Sequence, residues 1–585
     1  MYIRPTKNRV QNAVKTRKDM MKEKLSRAIK NVTLCLLTCL CTLPAWSQEL
    51  VVMESPKYLK ANDSIFVFTP SGKKPQATVI LLHGWGGSYT NWTKSNDLQS
   101  LSDSTGFRFI CPDGLKDSWY VNWADTSKMQ MRDFLNKEFI PEMYKRYNLN
   151  PETTFIDGLS MGGHGAINVF IDNYDKFKAA GSLSGVLDLQ LAYDTFIKKL
   201  LFKSWKQDVA AEREKVMGQD TARFNNESAD RRIKLIAGKP KMIVVSCGYS
   251  DFFAPCTISF AQACRANNVP VIETLSPGVH SWSFWKYALD QHIMYFKRIM
   301  DGKEMGYDNG RKIDKVKPAV PKQNGSPELL VMQSPNYLKC NDSIYIFTPE
   351  NAQPHATIIL LHGWQGDYKA WSDKVDIQSV CNETGFRIIC PDGFYNGWYM
   401  NNSDKNKMQS KDFFNKEFFP QIFAKYNLDP QTTFIDGLSM GGHGAITLFI
   451  DNQKLFRAAG SMSGVLDLND CYNHYAEPNK LSTGLSQDMK KIVGDDLSRF
   501  SEESAISRVN KIKRNNKFIV VSCGYNDYMS KEAGEFCTAA GKAKVRWIET
   551  LSPGYHSWRF WNYALSQHIW YFQRILDGKG MGFKK

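Results

Sequence analysis

The stretch T-T-F-I-D-G-L-S-M-G-G-H-G-A-I fills Thr153–Ile167 and returns without a change at Thr432–Ile446. Its first part, T-F-I-D, is short, apolar and strand-like, and its last part, G-G-H-G-A-I, opens a helical pattern. Between them lies G-x-S-x-G, at Gly158–Gly162 and again at Gly437–Gly441. A strand that turns into a helix this tightly strains the central residue and leaves no room for side chains at its neighbours. The central hydroxyl is then presented at a helix N-terminus, where the backbone dipole favours developing negative charge. Ser160 and Ser439 are therefore candidate nucleophiles. A packing turn with a buried serine is the alternative.

The duplication extends well beyond this motif. Leu50–Pro70 returns as Leu329–Pro349, and E-T-L-S-P-G at Glu273–Gly278 returns as Glu549–Gly554. The shift, 279 residues for the first motif, is far longer than a solenoid repeat and means duplicated domains. A chain of 585 residues suits two such domains better than one core. A stretch rich in Lys, Pro, Gly and Asn separates them. The expected division is an N-terminal extension with a signal (1–47), a first domain (48–303), a linker (304–325) and a second domain (326–585). In each repeat, apolar strand-like runs alternate with amphipathic helical stretches. In the first these runs are Ala77–Leu82, Phe107–Cys111, Thr154–Asp157, Ala179–Leu183, Met242–Cys247 and Val271–Leu275. That alternation predicts an α/β class, with two mostly parallel sheets, each covered by helices on both faces. Ligands in such sheets sit at the carboxyl ends of strands.

A serine hydroxyl needs a base to take its proton and a carboxylate to orient that base. His280 and His556 follow the last strand in matched loops, S-P-G-V-H-S-W and S-P-G-Y-H-S-W, and are the candidate bases. His292 and His568 fall inside the following helix and read as core or surface, while His164 and His443, in the first turn of the nucleophile helix, read as structural. Asp251 (C-G-Y-S-D) and Asp527 (C-G-Y-N-D), just past the preceding strand, are the candidate acids. Asp188 and Asp467, one strand earlier in S-G-V-L-D, compete for that role.

The strand Ala77–Leu82 runs into H-G-W-G-G, and its equivalent into H-G-W-Q-G. Glycines there let backbone N–H groups turn towards a reacting carbonyl. The expected oxyanion donors are the N–H groups of Met161 with Trp85, and of Met440 with Trp364. Gln365 replaces a glycine of the first repeat, an expected difference between the two sites. The aromatics Trp119, Tyr120 and Trp282, with Trp398, Tyr399 and Trp558, are candidate walls for a ring-bearing acyl group or a sugar, with core packing as the alternative. The repeats diverge most at 189–236 and 468–512, where cap segments would enter.

The net charge is +16. Ten basic and two acidic side chains within residues 1–31 account for half of that excess, and no basic helix or stripe remains, which argues against nucleic-acid binding. The apolar run Val32–Ala45 is short for a bilayer span and ends in the small-x-small pattern Ala45-Trp46-Ser47, so it reads as a secretory signal. A membrane anchor, or a lipoprotein attached at Cys39, are the alternatives, and Met20 or Met21 are alternative starts. The cysteines form no disulfide framework or metal pattern, and no metal or cofactor is expected.

Each repeat resembles the esterase D-like α/β-hydrolases, a group that includes carbohydrate esterase family 1 (feruloyl and acetylxylan esterases), S-formylglutathione hydrolases and mycolyltransferases. The resemblance is carried by L-L-H-G-W-G-G (Leu81–Gly87), G-L-S-M-G-G-H-G-A (Gly158–Ala166), A-A-G-S-L-S-G (Ala179–Gly185) and H-S-W-x-x-W (His280–Trp285). It implies a serine triad at the positions named above. The export signal disfavours the intracellular S-formylglutathione hydrolases, and the Trp-Tyr pair after P-D-G resembles the feruloyl esterase branch. The resulting expectation is an exported esterase acting on ester-decorated polysaccharide or oligosaccharide, with no obligate protein partner. Acetyl removal, acyl transfer or non-catalytic glycan binding are the alternatives.

Overall fold

The computed structural model describes residues 48–199, 214–218, 220–306, 323, 325–476, 483–513 and 517–582. The expected export signal lies outside these residues. In the first half the strands are β1 (Gln48–Ser55), β2 (Ala61–Phe68), β3 (Ala77–Leu82), β4 (Phe107–Pro112), β5 (Thr154–Gly158), β6 (Ala179–Leu183), β7 (Ile243–Gly248) and β8 (Val271–Ser276). The second half repeats them as β9 (Glu328–Ser334), β10 (Cys340–Phe347), β11 (Ala356–Leu361), β12 (Phe386–Pro391), β13 (Thr433–Gly437), β14 (Ala458–Met462), β15 (Phe518–Gly524) and β16 (Arg546–Ser552).

Each half lays its strands in the order 1-2-4-3-5-6-7-8, with the first two pairings antiparallel and the rest parallel. The central strands β3, β5, β6 and β7 are buried at every residue, which explains their unbroken apolar sequence. The edge pair β1–β2 instead mixes buried with partly or fully exposed positions. The nucleophile helices Met161–Asp172 and Met440–Asp451 are also buried nearly throughout. Three glycines in the first turns of each admit that close packing.

The two sheets are not separate. β8 pairs antiparallel with β16, placing Thr274 opposite Thr550 and making one continuous 16-stranded sheet. The last helices, Trp282–Met300 and Trp558–Leu576, share one hydrophobic core across this seam. Within that core runs a satisfied polar chain. His292 Nδ1 lies 2.8 Å from Asp157 Oδ2, beside the nucleophile turn, and its Nε2 lies 2.9 Å from Ser246 Oγ. Ser246 donates to Gln291 (2.5 Å), and Gln291 donates to Tyr571 of the other half (2.6 Å). The mirror chain runs from Asp436 through His568, Ser522 and Gln567 to Tyr295. His292 and His568 are thus core residues, one of the two placements open from the sequence. At the start of the expected linker, Glu304 accepts from Arg559 Nε at 2.6 Å and Gly306 packs on the second half.

Candidate active site

Ser160 sits between β5 and its helix at φ 55° and ψ −118°, and Ser439 at φ 53° and ψ −119°. For a non-glycine residue this is a strained conformation, and it persists because the surroundings over-determine it. Any side chain at Gly158 would run into the Gly162 carbonyl, and one at Gly162 into Leu82 and His83 backbone oxygens. The G-x-S-x-G spacing is therefore a steric requirement of the turn.

His280 Nε2 lies 2.9 Å from Ser160 Oγ, and His280 Nδ1 lies 2.9 Å from Asp251 Oδ2. In the second half His556 stands 2.9 Å from both Ser439 Oγ and Asp527 Oδ2. Each carboxylate is buried, while each imidazole keeps a partly open edge. The structure thus brings together all six candidate catalytic side chains, in two sets. Asp188 and Asp467 do other work. Asp188 accepts from Leu191 N and from Ser259 Oγ, and Asp467 accepts from the backbone of Asn469 and Asp470. Both start helices at the edge of the cap.

The loop after β3 passes directly beside the nucleophile. A side chain at Gly84 would stand 3.3 Å from Ser160 Cβ, and one at Gly363 the same distance from Ser439 Cβ. Met161 opens its helix immediately after Ser160, so its N–H belongs to the first turn, which has no carbonyl one turn back. Trp85 and Met161, and likewise Trp364 and Met440, therefore lie on the two segments that flank each serine. Gln365 keeps the geometry of Gly86: both have positive φ (67° and 74°), and their N–H groups donate at 2.7 Å to Tyr395 O and Lys116 O. The expected difference between the two loops is absent from their backbone.

The aromatic walls need correction. Tyr120, Trp398 and Tyr399 are buried, out of a substrate's reach. Positive φ at Trp119–Tyr120 and Trp398–Tyr399 turns the chain inward, and the tyrosine ring lies against Gly165 or Gly444 of the nucleophile helix. Tyr120 OH donates to His83 O at 3.0 Å, and Tyr399 OH to His362 O at 3.1 Å. These tyrosines brace the oxyanion loop. Trp119 is half-buried, with its carbonyl near His164 Nδ1. Trp282 and Trp558 are also half-buried and pack edge-on against Trp92 and Trp371. His164 and His443 are buried, and burial pushes their pKa down to about 4 and about 3, so both are neutral structural residues.

The buried rings of Phe253 and Trp285 pack on His280 and that of Trp561 on His556, and beside them stand the less buried Phe252 and Tyr528, each one residue past its acid. The latter two lie 4.6 Å from the His280 ring and 5.0 Å from the His556 ring. Their place beside the acid was the available sequence signal. Tyr528 also stacks on His474 and meets Tyr475 edge-on, both from the divergent cap segment. Trp364 Nε1 donates to Asp488 of the cap helix Thr483–Val493 at 3.2 Å. At the rim, Lys116 and Val279 of the first half face the same positions as exposed Tyr395 and Tyr555 of the second.

Residues 57–296 and 335–572 each match the family described as "Putative esterase". Among known proteins, the chain is similar to an acetyl esterase of Caldicellulosiruptor saccharolyticus, with 24% identity over 38% of this chain and 84% of that one. It is similar to an S-formylglutathione hydrolase of Arabidopsis thaliana, with 22% identity over 40% of this chain and 87% of that one. Among solved structures, a ferulic acid esterase is 21% identical over 44% of this chain and all of its own length, with a TM-score of 0.36. The Staphylococcus aureus serine hydrolase FphF is 22% identical over 43% of this chain and 97% of its own, with a TM-score of 0.37.

Proposed function

The chain belongs to the esterase family, which it matches twice, and from that premise we propose that both halves are working serine esterases with an acyl-enzyme intermediate. The single observation that carries this reading is the pair of triads, each with 2.9 Å contacts from imidazole to serine and to carboxylate. His280 takes the Ser160 proton as Oγ attacks the ester carbonyl. The carbonyl oxygen becomes an oxyanion, held by the Met161 and Trp85 N–H groups. The intermediate collapses, the C–O bond breaks, and His280 gives its proton to the departing alcohol. Water, deprotonated by the same imidazole, then releases the acid and regenerates Ser160. Asp251 keeps Nδ1 of His280 oriented throughout. Ser439, His556, Asp527, Met440 and Trp364 repeat the cycle.

For substrate we propose hydroxycinnamoyl, chiefly feruloyl, esters of plant cell-wall polysaccharide or its fragments, met outside the cell. The aromatic faces of Phe252 and Tyr528 beside the reacting imidazoles support an aryl acyl group. The basic and apolar N-terminal stretch supports export. Removal of acetyl groups is the second reading, favoured by the likeness to an acetyl esterase. Methyl ferulate, acetylated xylan and short p-nitrophenyl esters separate these readings when offered to the full chain. Ser160→Ala and Ser439→Ala should each leave one active site, and the double variant none. Turnover surviving in the double variant would contradict the mechanism.

A further inference from the structure

The end of each half lies against the other half's histidine loop. Met305 and Gly306 follow the helix Trp282–Met300 of the first half. A side chain at Gly306 would nevertheless stand 3.1 Å from Pro553 O and 3.0 Å from Tyr563 Cδ1, both in the second half. Met581 and Gly582 make the mirror crossing. A side chain at Gly582 would collide with Pro277 O and stand 2.9 Å from Phe284 Cδ2, both in the first half. Met581 is buried in the core shared by both halves. Both crossings are fastened to their own helix by an arginine: Arg298 donates to Glu304 O at 2.5 Å, and Arg574 to Gly580 O at 2.8 Å. Arg574 also reaches over the seam to Asp290 at 2.8 Å.

Pro277 and Gly278 lead straight into His280, and Pro553 and Gly554 into His556. Gly278 is clamped from two sides. On one side its carbonyl accepts from Ser250 N at 3.1 Å and packs on Gly248, in the turn that carries Asp251. On the other, a side chain at Gly278 would stand 2.9 Å from Gly582 O. Gly554 is held in the same way between Gly524 and Gly306, whose oxygen would lie 3.0 Å from a side chain there. The outer wall of each histidine loop is therefore supplied by the other half.

We propose that the two tails are crossed positioning elements: Met581–Gly582 holds the His280 loop, and Met305–Gly306 holds the His556 loop. The residues touch neither substrate nor the reacting atoms. They act by keeping an imidazole on a loop within hydrogen-bond reach of two partners at once. Displacement of such a group by about 1 Å can cost on the order of 100-fold in rate. Each active site is thereby incomplete without the far end of the opposite half.

This inference rests on the esterase reading, and the experiment keeps the two apart. The full chain carrying Ser439→Ala reports only Ser160, and the chain carrying Ser160→Ala reports only Ser439. Ester turnover in these two parents tests the reading itself. Gly582→Val, and separately a chain ending at Lys579, is then placed in each parent. The Ser160 site should lose about tenfold or more in kcat with KM within about twofold, while the Ser439 site stays within about twofold. Gly306→Val should do the reverse. Fluorophosphonate labelling of the two serines should slow in the same crossed pattern. The unaffected half reports, within the same molecule, that the chain is folded. Equal losses at both sites, a loss confined to the half that carries the change, or no loss at all would each overturn the proposal.

Discussion

Asp251 and His280 are 29 positions apart and Ser160 lies 120 before the histidine, yet their side chains meet at bonding distance. Asp251→Asn in the Ser439→Ala chain should lower kcat by about 10³–10⁴ with little change in stability, because the imidazole loses the partner that fixes its tautomer. Steady-state kinetics on a p-nitrophenyl ester checks this. Phe252 and Tyr528 offer a finer test. Exchanging them, with Phe252→Tyr in one half and Tyr528→Phe in the other, should swap a preference for hydroxylated over unsubstituted cinnamoyl esters by a few-fold. Burial holds the Tyr528 hydroxyl protonated, well above the usual phenol range, so it is a hydrogen-bond donor at working pH. A preference that did not move would remove these rings from acyl recognition.

At the scale of elements, the sequence made some features plain and hid others. The nucleophile turn was legible because its glycines are dictated by backbone collisions that no other residue type survives. Gly162→Ala would push a methyl into the Leu82 and His83 carbonyls. It should cost about 1–3 kcal/mol of stability and most of the Ser160 turnover, as measured by melting and by single-site kinetics. The histidine loops were legible because a repeat preserved them. The Trp-Tyr pairs misled, since an aromatic pair after a strand end looks the same in a wall as in a brace. Only the positive φ values, which the sequence does not announce, send Tyr120 and Tyr399 inward. The β8–β16 pairing was hidden for a related reason. An edge strand that will be covered has the same apolar composition as a central one, so V-I-E-T-L-S and W-I-E-T-L-S gave no sign of each other.

Across the whole molecule, the seam adds its own contribution to the response to pH. Glu549 is buried there, near Glu273 and Arg265. Burial first, and then the charge of Glu273, pushes its pKa up to about 7. The folded protein thus prefers Glu549 protonated. That stabilisation is fully present below the ordinary glutamate value of 4.5 and is lost as pH rises through about 7. Glu549→Gln should raise the melting temperature relative to the parent at pH 8 and leave the two alike at pH 4. A thermal-shift series across that interval would detect the difference. A gain that was constant with pH would place the cause elsewhere. The same seam argues against studying the halves alone, since each would expose its last strand and helix. Expressed together as separate chains, 48–306 and 323–585 should yield, among their pairings, a mixed complex with turnover at both serines.

The matched threonines, glutamines and tyrosines at the join are nearly the same on both sides, so either half could in principle marry its own kind. Two unlinked polypeptides would then sort into three species, only one of which holds both unlike mouths. Joining them in one chain raises the local concentration of the right mate to roughly millimolar. It also enforces a one-to-one stoichiometry, which lets the cap segments drift towards different cargoes without diluting the mixed pair.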